Sequence, residues 1–401
     1  MKKFFSKMKY VKLKHFVGLI PFVIAVIPAL FYKKYLKIKN KQVWLISEQH
    51  NTARDNGYYF FKYINKKHNE IENYYVIDYD CDDYYKVKQI GKTIKYGSLK
   101  HYFYYMSCTY NISSHKESNP NEMLFTILHL YLNLFNNRIF LQHGIIKDNL
   151  PMFYEENTKF KLFICGAKPE YEYIKNNYHY KNNEVVYTGL ARFDSLCDLN
   201  IPKIKIALIP TWRRWLGVEI NGLNKQSNFL NSEYFKFWNS IINNEKLIKL
   251  LETKNIELIF YPHVMMQPYI NFFETKSSSI KIIKREEKDI QELMKECKLL
   301  ITDYSSVFFD FAYMNKPIIY YQFDYEEYRK KHMEEGYFDY KINGFGPVCE
   351  NENKLLQEIT NVINNNFELE NQYKKRINEF FERKDQNNCE RIFNSILNIG
   401  K

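Results

Sequence analysis

The sequence predicts an α/β protein of two doubly wound domains facing a cleft, preceded by a basic, apolar N-terminal segment. Three observations carry this. From Lys41 onward, short apolar β-rich runs alternate with helical stretches, the pattern of parallel sheets with crossover helices. Most of these runs are continuously apolar, as strands covered on both faces must be. The alternation pauses at the polar stretch Asp194–Pro202, which divides the 401 residues into two series of domain length.

The first 41 residues hold eleven lysines and no acidic residue. Within them His15–Tyr32 reads HFVGLIPFVIAVIPALFY. Its uncharged part, Phe16–Phe31, falls just short of the roughly 20 residues that a spanning helix needs. Pro21 and Pro28 are expected to kink it. Lys33, Lys34 and Lys37 follow where a secretory cleavage site would need small residues. The flanking cations suit an anionic leaflet, at about 1 kcal/mol each near the surface. Residues 1–41 are therefore expected to attach the chain to the cytoplasmic face of the cell membrane, as a short span or a monotopic hairpin. The alternative is a buried helix of the first domain.

Residues 42–198 form the expected first domain. Its strands are Val43–Ser47, Tyr74–Asp78, Thr109–Ser113, Arg138–Gln142, Leu162–Cys165 and Glu184–Tyr187. Residues 199–401 form the second, with strands Lys205–Pro210, Glu257–Tyr261, Lys281–Lys284, Leu299–Thr302 and Pro317–Tyr321 and a terminal helix beyond Asn364.

The net charge of +12 comes almost wholly from the N-terminal segment. Without it, 47 basic residues face 46 acidic ones, against 58 and 46 for the whole chain. A basic groove for nucleic acid is therefore not expected. The seven cysteines form no CxxC pair, which argues against a disulfide scaffold or a zinc module. No Walker loop or GxGxxG pattern occurs, so neither metal nor cofactor is expected.

Ligands of doubly wound sheets bind at the carboxyl ends of the strands. The chemistry-bearing residues follow those ends. His143-Gly144 with Lys147 follows Arg138–Gln142; an imidazole there suits a general base, and a lysine would offset phosphate charge. Arg192 follows Glu184–Tyr187 and could grip a phosphate or pair with Asp194. Pro210-Thr211-Trp212-Arg213-Arg214 brings a hydroxyl and cations to a third end, and Pro262-His263-Val264 a second imidazole to a fourth. Asp303-Tyr304-Ser305-Ser306 follows Leu299–Thr302 and opens a helix. Ser305 reads as its N-cap, with Asp303 as the alternative cap or turn anchor. The freed amides and the two serine hydroxyls would bind a phosphate, and Asp310, one turn on, a sugar hydroxyl.

These motifs, with Arg54-Asp55-Asn56-Gly57 and Phe60-Phe61-Lys62 before them, occur in the order of one family. Over roughly residues 43–330 the chain resembles the CDP-glycerol glycerophosphotransferases of bacterial teichoic-acid and capsule synthesis. The resemblance implies a GT-B fold of two Rossmann-like domains, peripheral to the cytoplasmic membrane. It implies a CDP-glycerol or other CDP-polyol donor, a lipid-linked saccharide or polymer acceptor, and release of CMP. It makes His143 the base and His263 the second catalytic residue. Donor contacts fall on His143, Gly144, Ile145, Ile146, Lys147, Arg192, Pro210, Thr211, Pro262, His263, Val264, Ser305, Ser306 and Asp310. Two places depart from the family pattern. The loop His143–Lys147 lacks a hydroxyl, and Val264-Met265-Met266 replaces a run containing proline. Competing readings are a GT-B glycosyltransferase using a nucleotide sugar and a membrane-tethered scaffold.

Overall fold

The computed structural model describes residues 18–199, 201–216 and 223–399. The six lysines before Gly18, and His15–Val17 of the apolar stretch, lie outside them.

Two parallel sheets organise the chain. The first contains β1 (Val43–Ser47), β2 (Glu72–Ile77), β3 (Thr93–Lys95), β4 (Tyr110–Ser113), β5 (Arg138–Phe140), β6 (Leu162–Cys165) and β7 (Val185–Tyr187), in the order β3-β2-β1-β4-β5-β6-β7. The second contains β8 (Lys205–Ile209), β9 (Glu257–Phe260), β10 (Ile280–Ile282), β11 (Leu299–Thr302), β12 (Ile318–Tyr321) and β13 (Val348–Cys349), in the order β10-β9-β8-β11-β12-β13. Strand order reverses between β1 and β4 in one sheet and between β8 and β11 in the other. Those reversals are the switch points where such sheets bind ligands. Every strand read from the sequence is present. The two that reading missed, β3 and β13, are edge strands of three and two residues, too short to show periodicity.

The chain divides into two compact units. The first holds the described residues up to Ile145, Pro151–Ser195 and those from Asp385 onward. The second holds Ile146–Leu150 and Leu196–Lys384. This differs from the expected 42–198 and 199–401: the boundary falls at Ser195, the described residues before 42 join the first unit, and two further segments change units. The terminal helix Asn388–Leu397 joins the first unit, because Asp194 accepts from the Asn388 and Cys389 amides at its N-terminus, both at 2.8 Å. Its apolar face, with Ile392, Phe393 and Ile396, packs on Trp44 and Phe60. Gly189, at φ +84°, makes room for it: a Cβ there would lie 1.8 Å from Asn388 Oδ1. In the second unit Asp148 holds the Ile146–Leu150 segment, pairing with Lys147 and, at 2.6 Å, with Arg329.

The N-terminal apolar segment is one helix, Leu19–Ile38, running unbroken through Pro28. Pro21 sits in its first turn, where no intrahelical bond is lost. Ala25, Ala29 and Leu36 bury against Tyr102, Tyr105 and Phe125 of the first unit. The other side leaves Ile20, Val23, Ile24, Ile27, Leu30, Phe31 and Ile38 exposed. Their spacing of three and four residues makes one continuous apolar stripe.

Candidate active site

In the first unit the site begins where β5 ends. Gln142 adopts a left-handed backbone, φ +62°, unusual for a residue with a Cβ. Three hydrogen bonds hold it. Its Nε2 donates to the Ile164 carbonyl at 2.6 Å and to Glu170 at 3.0 Å, and its carbonyl accepts from Asn56 Nδ2 at 2.7 Å. The chain therefore turns sharply just before His143. That side chain stands out from the sheet with 71% of its surface exposed.

Asp55 meets it from the loop after β1. As N-cap of the helix Asn56–Lys67 it accepts from the Asn56 amide at 2.7 Å. Its other oxygen bonds His143 Nδ1. Glu48 fixes this corner by accepting the Arg54, Asp55 and Tyr58 amides at 2.9, 2.9 and 2.6 Å. Gly57 permits the close approach, since a Cβ there would lie 2.6 Å from the Ser47 carbonyl oxygen. Arg192 closes the group. It is buried, and its Nη1 donates to Asp55 Oδ1 at 2.9 Å and to the His143 carbonyl at 2.6 Å. Burial alone would raise the Asp55 carboxyl; His143, Arg192 and His115 outweigh it and hold the group down to about 2. Asp55 is thus an anion that fixes the imidazole through Nδ1 and makes Nε2 the atom that takes a proton.

His115, after β4, lies beside His143 with ring centroids 4.9 Å apart. Asp55, His115 and His143 offer ligand atoms within 4.8 Å of one another, a spacing that also fits a cation. The Asp55–His143 hydrogen bond already accounts for two of the three.

In the second unit three strand ends converge. The Thr211 amide donates to Asp303 Oδ1 at 2.8 Å, and the His263 amide to the Pro210 carbonyl at 3.2 Å. His263 Nδ1 accepts from the Met265 amide at 3.2 Å, which places the ring proton of the neutral form on Nε2. Pro262 is buried beside it, and Val264 is exposed. Thr211 Oγ1 is buried without a hydrogen-bond partner among the described residues, which suits a hydroxyl kept for a ligand.

The structure departs from the expected placement at several positions. The loop His143–Lys147 is shared: His143, Gly144 and Ile145 belong to the first unit, Ile146 and Lys147 to the second. Lys147 is buried and paired with Asp148. The cap of the helix Val307–Tyr313 falls on Ser306, without a side-chain capping bond, not on Ser305. Asp303 is the turn anchor, taking the Tyr304 amide at 2.7 Å as well as that of Thr211. Asp310 is 1% exposed, so its carboxylate is buried within the unit. Arg213, read as a cation of an anion site, is fully buried between Asp303 and Asp324 at 2.8 and 2.7 Å.

Sequence reading gave no role to Asp55 or His115. His115 follows β4 as His143 follows β5, so the strand-end rule would have found it. Asp55 lies 88 positions from His143 and carries no such signal.

Residues 29–398 match the family described as CDP-glycerol:poly(glycerophosphate) glycerophosphotransferase. The chain is 36% identical over 366 residues to the minor teichoic acid biosynthesis protein GgaB of Bacillus subtilis (strain 168), covering 90% of this chain and 40% of that protein. It is 24% identical to the teichoic acid glycerol-phosphate transferase of Staphylococcus aureus, covering 52% of this chain and 53% of that protein. The chain thus spans about half or less of the length of these relatives. The structure of the wall teichoic acid polymerase TagF superposes with a TM-score of 0.64 at 18% identity, covering 96% of this chain and 98% of that one. That likeness establishes the GT-B type of fold. The family match across nearly the whole chain shows that this protein belongs to the CDP-glycerol:poly(glycerophosphate) glycerophosphotransferase family.

Proposed function

We propose that the chain transfers glycerol phosphate, or a related polyol phosphate, from CDP-glycerol to a hydroxyl of a lipid-linked saccharide or growing polymer in teichoic-acid or capsule synthesis. The observation that carries this is the Asp55–His143–Arg192 group: an exposed imidazole at a strand's carboxyl end, oriented by a buried carboxylate. His143 Nε2 takes the acceptor proton as the hydroxyl oxygen attacks the phosphorus bearing the glycerol. A new P–O bond forms, the P–O bond to CMP breaks, and CMP leaves with the electron pair. Arg192 positions His143 through its carbonyl. Thr211, His263, Ser305 and Ser306 of the second unit hold the donor's diphosphate, with Pro210, Pro262 and Val264 lining the nucleotide side and Lys147 held near the reacting phosphate by Asp148. Fixed donors aimed at developing charge are the main source of rate in such transfers. Phosphorus NMR of the product tests the reaction: a phosphodiester linkage is expected, whereas a glycoside formed from a nucleotide sugar would reject it.

We infer that the helix Leu19–Ile38 attaches the protein to the cytoplasmic face of the membrane, lying along the bilayer instead of crossing it. Ala25 and Ala29 are committed to the first unit, while its apolar stripe and Lys33, Lys34 and Lys37 are exposed. An amphipathic in-plane helix binds by buried apolar area plus attraction to anionic lipid. Flotation with phosphatidylglycerol vesicles is expected to recover the protein. A triple variant carrying Ile24→Glu, Ile27→Glu and Phe31→Glu is expected to stay unbound. Equal flotation of that variant would contradict this placement.

A further inference from the structure

The first unit contains a second feature at its switch point. A cavity of about 430 Å³ spans the carboxyl ends of β3, β2, β1 and β4, four adjacent strands. That volume falls in the ~300–1,000 Å³ range of small-molecule sites. Tyr96 closes one side, its ring stacked on His50 at a centroid distance of 4.7 Å. His115, beside His143, closes the other.

The lining has a definite chemistry. His101 is 1% exposed, and its Nδ1 accepts from the Gly97 amide at 3.1 Å. Its ring proton therefore sits on Nε2, and that donor is buried without a hydrogen-bond partner among the described residues. Burial keeps the imidazole neutral, pushing its pKa down to about 3. A buried N–H without a partner costs about 1–3 kcal/mol, so it points to a ligand oxygen. Glu117 and Glu122 stand exposed at the rim and offer acceptors. Among the described residues, no lysine or arginine lines the cavity. Carboxylates without cations repel a phosphate, while a neutral donor, acidic acceptors and an aromatic ring match the hydroxyls and face of a sugar.

We propose that this cavity is the acceptor subsite and that it takes a neutral saccharide ring, whose reactive hydroxyl emerges at His115 next to His143. The proposal rests on the polyol-phosphate transfer reading above and names the site and chemical class of its acceptor.

The probe is octyl N-acetyl-β-glucosaminide, used below its micelle concentration with the full chain, and the readout is saturation-transfer NMR on its ring protons. Transfer to the ring is expected in the wild type. Tyr96→Ala and Glu122→Gln are each expected to weaken binding about tenfold, and Tyr96→Phe, which keeps the ring, to restore it. Glycerol 3-phosphate is expected not to compete. Binding that neither substitution changes, or that glycerol 3-phosphate displaces, would overturn the subsite. The two readings fail separately. A protein that releases CMP from CDP-glycerol but binds the saccharide indifferently loses only the subsite. One that binds the saccharide in this cavity but releases no CMP loses only the reaction.

Discussion

His143→Ala is expected to lower CMP release from CDP-glycerol by about 10²–10⁴-fold, the usual contribution of a positioned general base. The fold should be indifferent to the change, because the imidazole is exposed and contributes little packing. An unchanged urea midpoint would separate lost chemistry from lost structure. Asp55→Asn keeps a hydrogen bond to Nδ1 but removes the charge that stabilises an imidazolium. Its rate is expected between those of the wild type and His143→Ala. A folded His143→Ala protein that still releases CMP at the wild-type rate would remove His143 from the mechanism.

The largest effect on stability is expected at Arg213. Its guanidinium is fully buried, donates to Asp324 through Nε at 2.7 Å and Nη2 at 3.0 Å, and pairs with Asp303 at 2.8 Å. The rings of Tyr304, Tyr328 and Tyr234 lie about it at 5.0, 5.2 and 5.2 Å. Burial alone would make the cation easier to deprotonate, but the two carboxylates outweigh burial and hold it more firmly charged than usual. Arg213→Ala leaves two buried carboxylates without their cation, and breaking such a group costs about 3–5 kcal/mol. Urea unfolding should show the loss as a lower midpoint. Arg213→Lys restores charge but cannot satisfy both carboxylates through a planar fork, so it should recover only part of it. A midpoint unmoved by Arg213→Ala would mean that the triad does not hold this region. The consequence would reach function, because Asp303 also anchors Thr211 and the turn before Ser305.

The strands were legible because burial on both faces writes them as apolar runs. His143 was legible because it follows such a run directly. What stayed hidden is long-range pairing. Arg213 stands beside a second arginine, Arg214, in a loop after a strand, and its partner Asp324 is 111 positions away, so it reads as a surface cation. Asp310 occupies a plausible first-turn position, yet the aromatic residues around it in the sequence, Phe308, Phe309 and Phe311, carry that helix into the core and bury it with them. The terminal helix shows an ordinary amphipathic pattern that cannot say which sheet it covers; Asp194 and Gly189, far earlier in the chain, decide that. The helix Leu19–Ile38 buries one side in the first unit, as the alternative reading of that segment expected, and leaves an exposed apolar stripe on the other.

Nucleotide release distinguishes polyol-phosphate transfer from glycosyl transfer. Purified protein would be incubated with CDP-glycerol, CDP-ribitol and a panel of nucleotide sugars, with membrane lipid extract as acceptor. CMP from a CDP-polyol is expected, lost in His143→Ala and His263→Ala. Nucleotide released from a sugar donor alone, with both CDP-polyols left intact, would contradict it.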